Sequence, residues 1–436
     1  MAPRIWRNWS RIQQCAPAQI HKPISEEELV RIVKRAASEG ERVKAVGAGH
    51  SFTGIALTDG HLIDLSGCDL ILSANSDDRR VTMQSGISLS RLNDQLWDRG
   101  LAMENLGDIA YQSIAGAVAT ATHGTGIKFG GLATQISAMR IIAADGTIID
   151  CSADQEPEVF SAARVGLGAL GLVSAITLDC ERAFNLHAVE GPERVDEILE
   201  NLEENIAANE HFEFFWVPNT GWALTKRNNR TTEPPNPRGR WREFRDDIIY
   251  GNVFFGLVCR VGRLRPSLAR TIAHYLPSSG RVEYIDRGYR IFASPRLVRF
   301  YEMEYAIPIE AATEALNRVR EYIARSGLTI TFPVEVRFTK GDDITLSTAN
   351  GRDTCYIAIH VFEGTPYQQY FSAVEDIMDD YSGRPHWGKL HFQKAETLAP
   401  RYPGWDAFQT VRRRLDPNGM FSNPYLDRVL GRIDES

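Results

Sequence analysis

Three stretches of this 436-residue chain carry residue types and spacings that suit chemistry. In Val46-Gly47-Ala48-Gly49-His50-Ser51, a glycine pair follows the apolar run from Val43 to Val46. Gly47 and Gly49 let the backbone take positive φ and come close to a ligand without a Cβ clash. Successive N–H groups in such a turn form a nest that suits a pyrophosphate, and His50 sets a nucleophilic imidazole at its mouth. Alone, the stretch reads as a tight turn with a solvent-facing histidine. From Ser113 to Gly126 (SIAGAVATATHGTG) the chain is nearly free of bulky side chains and rich in small hydroxyls. That composition lets backbone approach a ligand while Ser and Thr donate hydrogen bonds. A tightly packed small-residue helix is the other reading, since Ala is a strong helix former. In Val334-Glu335-Val336-Arg337-Phe338, strand alternation puts Glu335 and Arg337 on one face. A carboxylate so placed can exchange a proton with a bound hydroxyl; alone, the two are an exposed ion pair. The ten histidines show no ligand spacing, so no metal is expected.

Pattern places these residues on definite elements. Ser25-Glu26-Glu27-Glu28 opens a helix as a capping box, with Ser25 as N-cap and Glu28 returning to its N–H. Leu29, Ile32, Val33 and Ala36 form its apolar stripe, and Gly40 ends it. A strand then enters the His50 loop, followed by short strands near Leu62–Leu65, Leu70–Leu72 and Val81–Gln84. A second helix runs from Leu89 to Asp98. Ala138–Ala143 and Gly146–Asp150 form a hairpin, and Gly166–Leu178 reads as strand–turn–strand. The glycine spacing is not GxGxxG and no βαβ crossover follows, which disfavours a Rossmann domain. From about Glu181 the character changes. Val195–Ala207 has helical spacing, and His211–Val217 reads as a half-buried strand. Lys226–Arg245 reads as a long exposed basic loop, Ala311–Ser326 as an amphipathic helix, and Cys355–Phe362 as a strand carrying His360.

Composition narrows the class. The length allows two or three domains, and 43% apolar with 24% charged residues is ordinary for a soluble globular protein. A net charge of −7 gives no reason to expect a nucleic-acid partner. The six cysteines are scattered without a CxxC pair, which fits reduced thiols in a cytoplasmic protein. The basic N-terminus lacks an apolar signal region, and no run of about 18 apolar residues occurs, so membrane insertion is not expected.

The segments GAGHS, SIAGAVATATHGTG, ARVGLGALGLVS, FPVEVRFTKGDD, GRDTCYI, GRPHWGK and RRLDPNGMFSNPYLDRVLG occur in that order between Trp9 and Leu430. Together they resemble the vanillyl-alcohol-oxidase type of flavoenzyme, and within it the sugar-1,4-lactone oxidoreductases (gulonolactone, arabinonolactone and galactonolactone oxidases and dehydrogenases). The alditol oxidases are a nearby branch. The resemblance implies an α+β fold: an FAD-binding domain of two subdomains over residues 1–180, a cap domain on an antiparallel sheet over 181–414, and a segment 415–436 returning to the first domain.

It also implies roles. In relatives with histidine at the His50 position the imidazole is bonded to the flavin 8α-methyl group, so covalent FAD is expected here. Gly47, Ala48, Gly49 and Ser51 would cradle the pyrophosphate. Ser113, Gly116, Ala117, Thr120, His123 and Gly124 would line the flavin and ribityl chain, with Val173 by the adenine. Glu335 would bind the reacting hydroxyl and take its proton, and Arg337 would orient the lactone oxygens. Lys389, otherwise an ordinary surface lysine, matches the family's lysine by the flavin, where it would stabilise negative charge; His386 would contact the flavin. Asp108, His360 and Phe362 would meet the substrate. Phe362 stands where alditol oxidases carry a small hydroxyl residue, which suits a lactone ring better than a linear polyol. Gly107 occupies a position held to gate oxygen, and glycine there favours an oxidase. The implied reaction is oxidation of the C2 hydroxyl of L-gulono-1,4-lactone or a related aldonolactone to a 2-keto lactone (ascorbate or an analogue), with O2 reduced to H2O2. A dehydrogenase using a cytochrome or quinone-type acceptor, and an alditol oxidase, are the alternatives. Oligomeric state is left open.

Overall fold

The computed structural model describes residues 4–75, 77–239, 280–293 and 298–433. The end of the basic Lys226–Arg245 stretch and Cys259 lie outside the described residues. After a short antiparallel pair, Trp6–Arg7 with Gln14–Cys15, comes a small parallel sheet. Strand β1 (Gln19–His21) leads to helix α1 (Glu26–Glu39), which crosses to β2 (Val43–Val46); β3 (His61–Asp64) lies between the two strands and parallel to both. Ser25 caps α1 by accepting from the Glu28 N–H, and Gly40 closes it at φ 68°. The capping box is incomplete: the Glu28 carboxylate accepts from the Ile24 N–H at 2.9 Å, one residue before the N-cap. Leu29, Val33 and Ala36 bury the helix against β2 and β3. The βαβ crossover thus precedes the glycine loop rather than following it.

The second sheet is antiparallel. Strands β4 (Ile71–Asn75) and β5 (Arg80–Gln84) precede helices α2 (Leu89–Trp97) and α3 (Ile114–Ala119). The hairpin β6 (Ile136–Ile142) and β7 (Ile148–Ser152) forms as its turn residues dictate, and β8 (Leu172–Asp179) completes the order β7-β6-β8-β5-β4. Gly166–Leu178 does not form two strands. Leu167, Gly168 and Gly171 take positive φ (55°, 61° and 140°), a conformation that cannot pair in a ladder, so only the second half is a strand.

The third sheet has eight strands, all antiparallel. They are β9 (Asn185–Arg194), β10 (His211–Trp216), β11 (Trp222–Thr231), β12 (Val282–Arg287), β13 (Phe300–Pro308), β14 (Val334–Thr339), β15 (Thr354–Phe362) and β16 (Arg384–Pro385). Their order is β12-β9-β11-β10-β14-β15-β13-β16. Between β13 and β14 lies helix α4 (Ala312–Ser326), and after β15 comes α5 (Gln368–Asp379). Strand alternation sends Val334, Val336, Phe338, Ile357 and Ile359 to one face, where Leu316, Val319, Phe371 and Val374 of the two helices cover them. Each such side chain contributes about 1.5–3 kcal/mol on burial. The other face is polar and turned inward.

Three sequence expectations change here. His211–Trp216 is fully buried rather than half-buried, because both faces of this sheet are covered. Val195–Ala207 is two helices, Val195–Glu200 and Leu202–Ala208, broken at Asn201. Lys226–Thr231 is strand, not loop: it pairs with β9 and β10, and its cations find partners, Arg227 on Glu193 and Arg230 on Glu181.

The chain ends on helices α6 (Trp405–Leu415) and α7 (Pro424–Leu430), which pack into the core under the second sheet. Leu398, Tyr402, Phe408 and Val411, inside the 181–414 segment assigned to the cap, are already buried with that core. No described helix is long and apolar enough to cross a membrane.

Candidate active site

The loop after β2 faces the N-terminus of α3 across a cleft. Gly47, Ala48, Gly49, His50, Ser51, Ser113, Gly116, Thr120 and Val173 all line it. The close approach needs glycine: a Cβ at Gly47 would lie 2.0 Å from Ser113 Oγ, and one at Gly116 2.9 Å from the same atom. Gly49 holds φ at 69°. Backbone laid this bare, next to a helix start, is the kind of cradle a dinucleotide's phosphates require. Ser113 caps α3 through the Gly116 N–H, so the small-residue helix and the ligand-lining stretch are the same element. His50 is half-buried against Trp9, with ring centroids 5.6 Å apart. Among the described residues its imidazole has no side-chain hydrogen-bond partner, and burial lowers its pKa, which keeps it neutral and nucleophilic. Lys44, which sequence reasoning passed over, also lines the cleft; it is buried and donates to the carbonyls of Gly168 and Phe421, both at 3.0 Å.

Not every predicted residue reaches the cleft. Ala117 points into the core beneath α3, as the i+3 neighbour of Ile114 must. Gly124 packs on the Asn105 side chain and the Leu106 carbonyl, from which a Cβ would sit 2.3 Å. His123 faces the eight-stranded sheet instead.

On that sheet's polar face, alternate residues of four neighbouring strands converge: Glu213 from β10, Glu335 and Arg337 from β14, Tyr356, Ala358 and His360 from β15, and Glu302 and Glu304 from β13. Ala358 is cross-strand from both Glu335 and Glu304, so the centre of the face carries only a methyl group. Arg337 holds one side: it reaches Glu335 at 2.5 Å, Glu213 at 2.6 Å and Asp108 at 3.6 Å. Lys389 holds the other, contacting Glu302 at 2.5 Å and also Glu304. His123 meets Glu304 at 2.5 Å and stacks on Tyr356, and His360 meets Glu302 at 3.2 Å. Phe362 continues the face beyond His360, opposite Phe300.

Burial at this density sets the protonation states. It lifts the Glu335 carboxyl to about 7, against the pull of Arg337 and with the help of Asp108 and Glu213. Burial alone would do the same to Glu302 and Glu304, but Lys389 with His360 and His123 holds both below the usual range. His360 is raised by Glu302 against its own burial. His386 is pushed down to about 3 by burial and Lys389. One carboxyl near neutrality among ionised neighbours is the environment of a general base.

The cleft and the sheet face are joined by the Arg384–Lys389 stretch. The Phe52 N–H donates to the Gly388 carbonyl at 2.6 Å, and a Cβ at Gly388 would lie 3.2 Å from Ser51 Oγ and 3.4 Å from Thr120 Oγ1. His386 and Lys389 therefore flank the Gly388 contact with the Gly47–Ser51 loop, on the side of the sheet face. Gly107 is buried beside the His123 carbonyl, and Asp108 follows it to Arg337. Sequence reasoning missed Glu213, Glu302 and Glu304. The signal was present in Phe300-Tyr301-Glu302-Met303-Glu304-Tyr305, which has the same alternating charge spacing as Glu335 and Arg337.

Comparison with known proteins supports the same reading. Residues 176–429 match the family described as D-arabinono-1,4-lactone oxidase, and residues 17–152 match an FAD-binding domain. The chain is 48% identical over 434 residues to a protein named L-gulono-1,4-lactone dehydrogenase from Mycobacterium tuberculosis, covering 99% of this chain and 100% of that one. It is 35% identical over 432 residues to the L-gulonolactone oxidase of Bos taurus, covering 97% and 98%. In fold it is similar to a solvent-stable cholesterol oxidase at TM-score 0.78 and 18% identity, with 99% of this chain and 98% of that chain covered. The fold class and the resemblance read from sequence are both borne out. On this full-length similarity, the chain belongs to the D-arabinono-1,4-lactone oxidase family of FAD-binding oxidoreductases.

Proposed function

We propose that the protein oxidises the C2 hydroxyl of L-gulono-1,4-lactone, or a close aldono-1,4-lactone, to the 2-keto lactone. The observation that carries this reading is the buried Glu335–Arg337 pair, set across a methyl-lined centre from Lys389 and next to the cofactor cleft. Gly47–Ser51 and Ser113–Thr120 would hold FAD, which would supply the hydride acceptor. Glu335 accepts the hydroxyl proton at its carboxylate, and Arg337 fixes the lactone oxygens while balancing that charge. Lys389 offsets negative charge gained by the cofactor; Glu302 and Glu304 hold its ammonium in place, and His386 packs beside it. Asp108, His360 and Phe362 wall the substrate, the aromatic ring suiting a lactone. We assign the FAD-binding part to residues 1–180 and the cap to the eight-stranded sheet and its helices, with the return to the first part beginning near Leu398. The five described free cysteines, four of them buried, suit a reducing cytoplasm.

His50 is the residue we assign to a covalent link with the FAD 8α-methyl group, supported by its neutral, unpartnered ring in the cleft. His50→Ala leaves a protein that binds FAD but releases it on acid precipitation, whereas the wild-type pellet stays yellow after washing. A yellow pellet from the variant would assign the bond elsewhere.

For the electron acceptor we favour dioxygen, because Gly107 leaves a gap against the His123 carbonyl that a Cβ would narrow to 3.1 Å. Gly107→Ala should slow reoxidation of the reduced protein by air while leaving reduction by lactone near the wild-type rate. Stopped-flow measurement of the two half-reactions checks this. The dehydrogenase name of the 48%-identical relative favours a second reading, with a cytochrome or quinone-type acceptor; slow air reoxidation of the wild type, unchanged in Gly107→Ala, would select it.

A further inference from the structure

Away from the lactone site, the small parallel sheet carries a cluster that the proposed chemistry does not use. His61 opens β3 and is fully buried, yet its Nε2 has no hydrogen-bond partner. Glu41 Oε2 lies 3.3 Å from that nitrogen and Glu39 Oε2 3.5 Å, ion-pair distances when the ring is protonated. The donor atoms of the three residues all lie within 4.8 Å of one another. On its far side, His61 Nδ1 shares a hydrogen bond with His21 Nε2 at 2.9 Å, the two rings within 9° of parallel. When Nδ1 donates in that bond, the Nε2 lone pair faces two carboxylate oxygens. Three electron-rich atoms facing one another repel unless a proton or a metal cation sits among them.

The surroundings have the form of a ligand set. A metal-bound histidine is oriented by a hydrogen bond through its other ring nitrogen, the position His21 fills. Arg35 Nε donates to Glu39 Oε1 at 2.9 Å, which leaves Oε2 turned toward His61. Glu39 is exposed and Glu41 half-buried, so solvent reaches the open side and water can complete the coordination. One imidazole and two carboxylates with a free position is a set that zinc and its first-row neighbours accept.

We infer that His61, Glu39 and Glu41 form a binding site for one divalent transition-metal cation of the zinc class, with His21 orienting His61. The site ties the end of α1, the turn into β2 and the start of β3 together; the His61 N–H also donates to the Arg42 carbonyl at 2.8 Å. β2 runs straight into Gly47, so the cation braces the strand that carries the cofactor loop. Its role is structural, and it stands independently of the lactone reading.

The test uses the holoprotein after chelator treatment, titrated with Zn²⁺ by calorimetry and with Co²⁺ by its visible absorption. The expected result is one saturable equivalent per chain with the flavin spectrum unchanged. His21→Ala weakens it about 10–100-fold, the usual effect of removing such an orienting partner. Because His61→Ala would empty a buried position, the decisive variant is Glu39→Gln/Glu41→Gln, at solvent-reachable sites. That variant should weaken binding at least about tenfold. Absence of saturable uptake in the wild type, or a loss below tenfold in the double variant, overturns the assignment.

Discussion

Glu335→Gln lowers the rate at which lactone bleaches the bound flavin under anaerobic conditions by about 10²–10⁴-fold, the range for loss of a general base, while flavin content stays at the wild-type level. The amide keeps the shape of the side chain but has no site for the hydroxyl proton. Arg337 retains Glu213 and Asp108, so the substitution leaves no orphaned cation. The pH dependence gives an independent reading. Glu335 titrates at about 7 and acts as a base only when ionised, so kcat/KM rises with pH through about 7 and levels above it. In Glu335→Gln that rise is absent. A variant with wild-type rates, or one with the same pH profile, would move the base elsewhere on the sheet face.

Lys389→Met carries the second large effect. The methionine fills the same volume but withdraws the ammonium that bridges two buried carboxylates, with side-chain exposures of 7% for Glu302 and 3% for Glu304. Breaking a buried pair from one side costs up to about 3–5 kcal/mol where the remaining charge is left uncompensated; His360 on Glu302 and His123 on Glu304 reduce that cost without replacing the shared ammonium. Lactone oxidation falls with it. In the wild type Glu302 and Glu304 are held below the ordinary carboxylate pKa, so their contribution is present above that value and lost in acid. Without Lys389 their pKa rises and the ionised forms destabilise the fold. The deficit therefore grows as pH increases from about 4. Thermal unfolding across that range measures it, and adding Glu304→Gln to Lys389→Met should recover part of the loss. Equal stability of wild type and Lys389→Met at pH 8 would show that the three groups are not coupled as their geometry indicates.

Local features of this fold were legible in sequence. The glycine pair before His50, the Ser25 cap, the stripe of α1 and the Ala144-Asp145-Gly146 hairpin depend on neighbours a few residues away, and they form where pattern puts them. The Glu335–Arg337 spacing gave the right face but the wrong environment: both side chains are buried, not exposed. Burial depends on what covers the sheet, and alternation within one strand cannot report it. The same limit hid Glu213, Glu302 and Glu304, which meet Arg337 and Lys389 only through the strand order β10-β14-β15-β13. Lys389 by itself read as a surface lysine; only the resemblance to a family placed it by the flavin, and the structure holds it, half-buried, between two buried glutamates. The His61 cluster shows the limit most plainly. Its members come from β1, the end of α1, the turn into β2 and the start of β3, so histidine spacing along the chain carried no trace of it.

The measurement that bears most directly on the central claim is anaerobic addition of L-gulono-1,4-lactone to the purified holoprotein, followed at the visible flavin band and then exposed to air. The predicted result is bleaching at saturating lactone, with one 2-keto lactone formed per flavin, and rapid recovery of colour in air. A flavin that stays oxidised at saturating aldonolactone, in protein shown to carry its FAD, would contradict the claim.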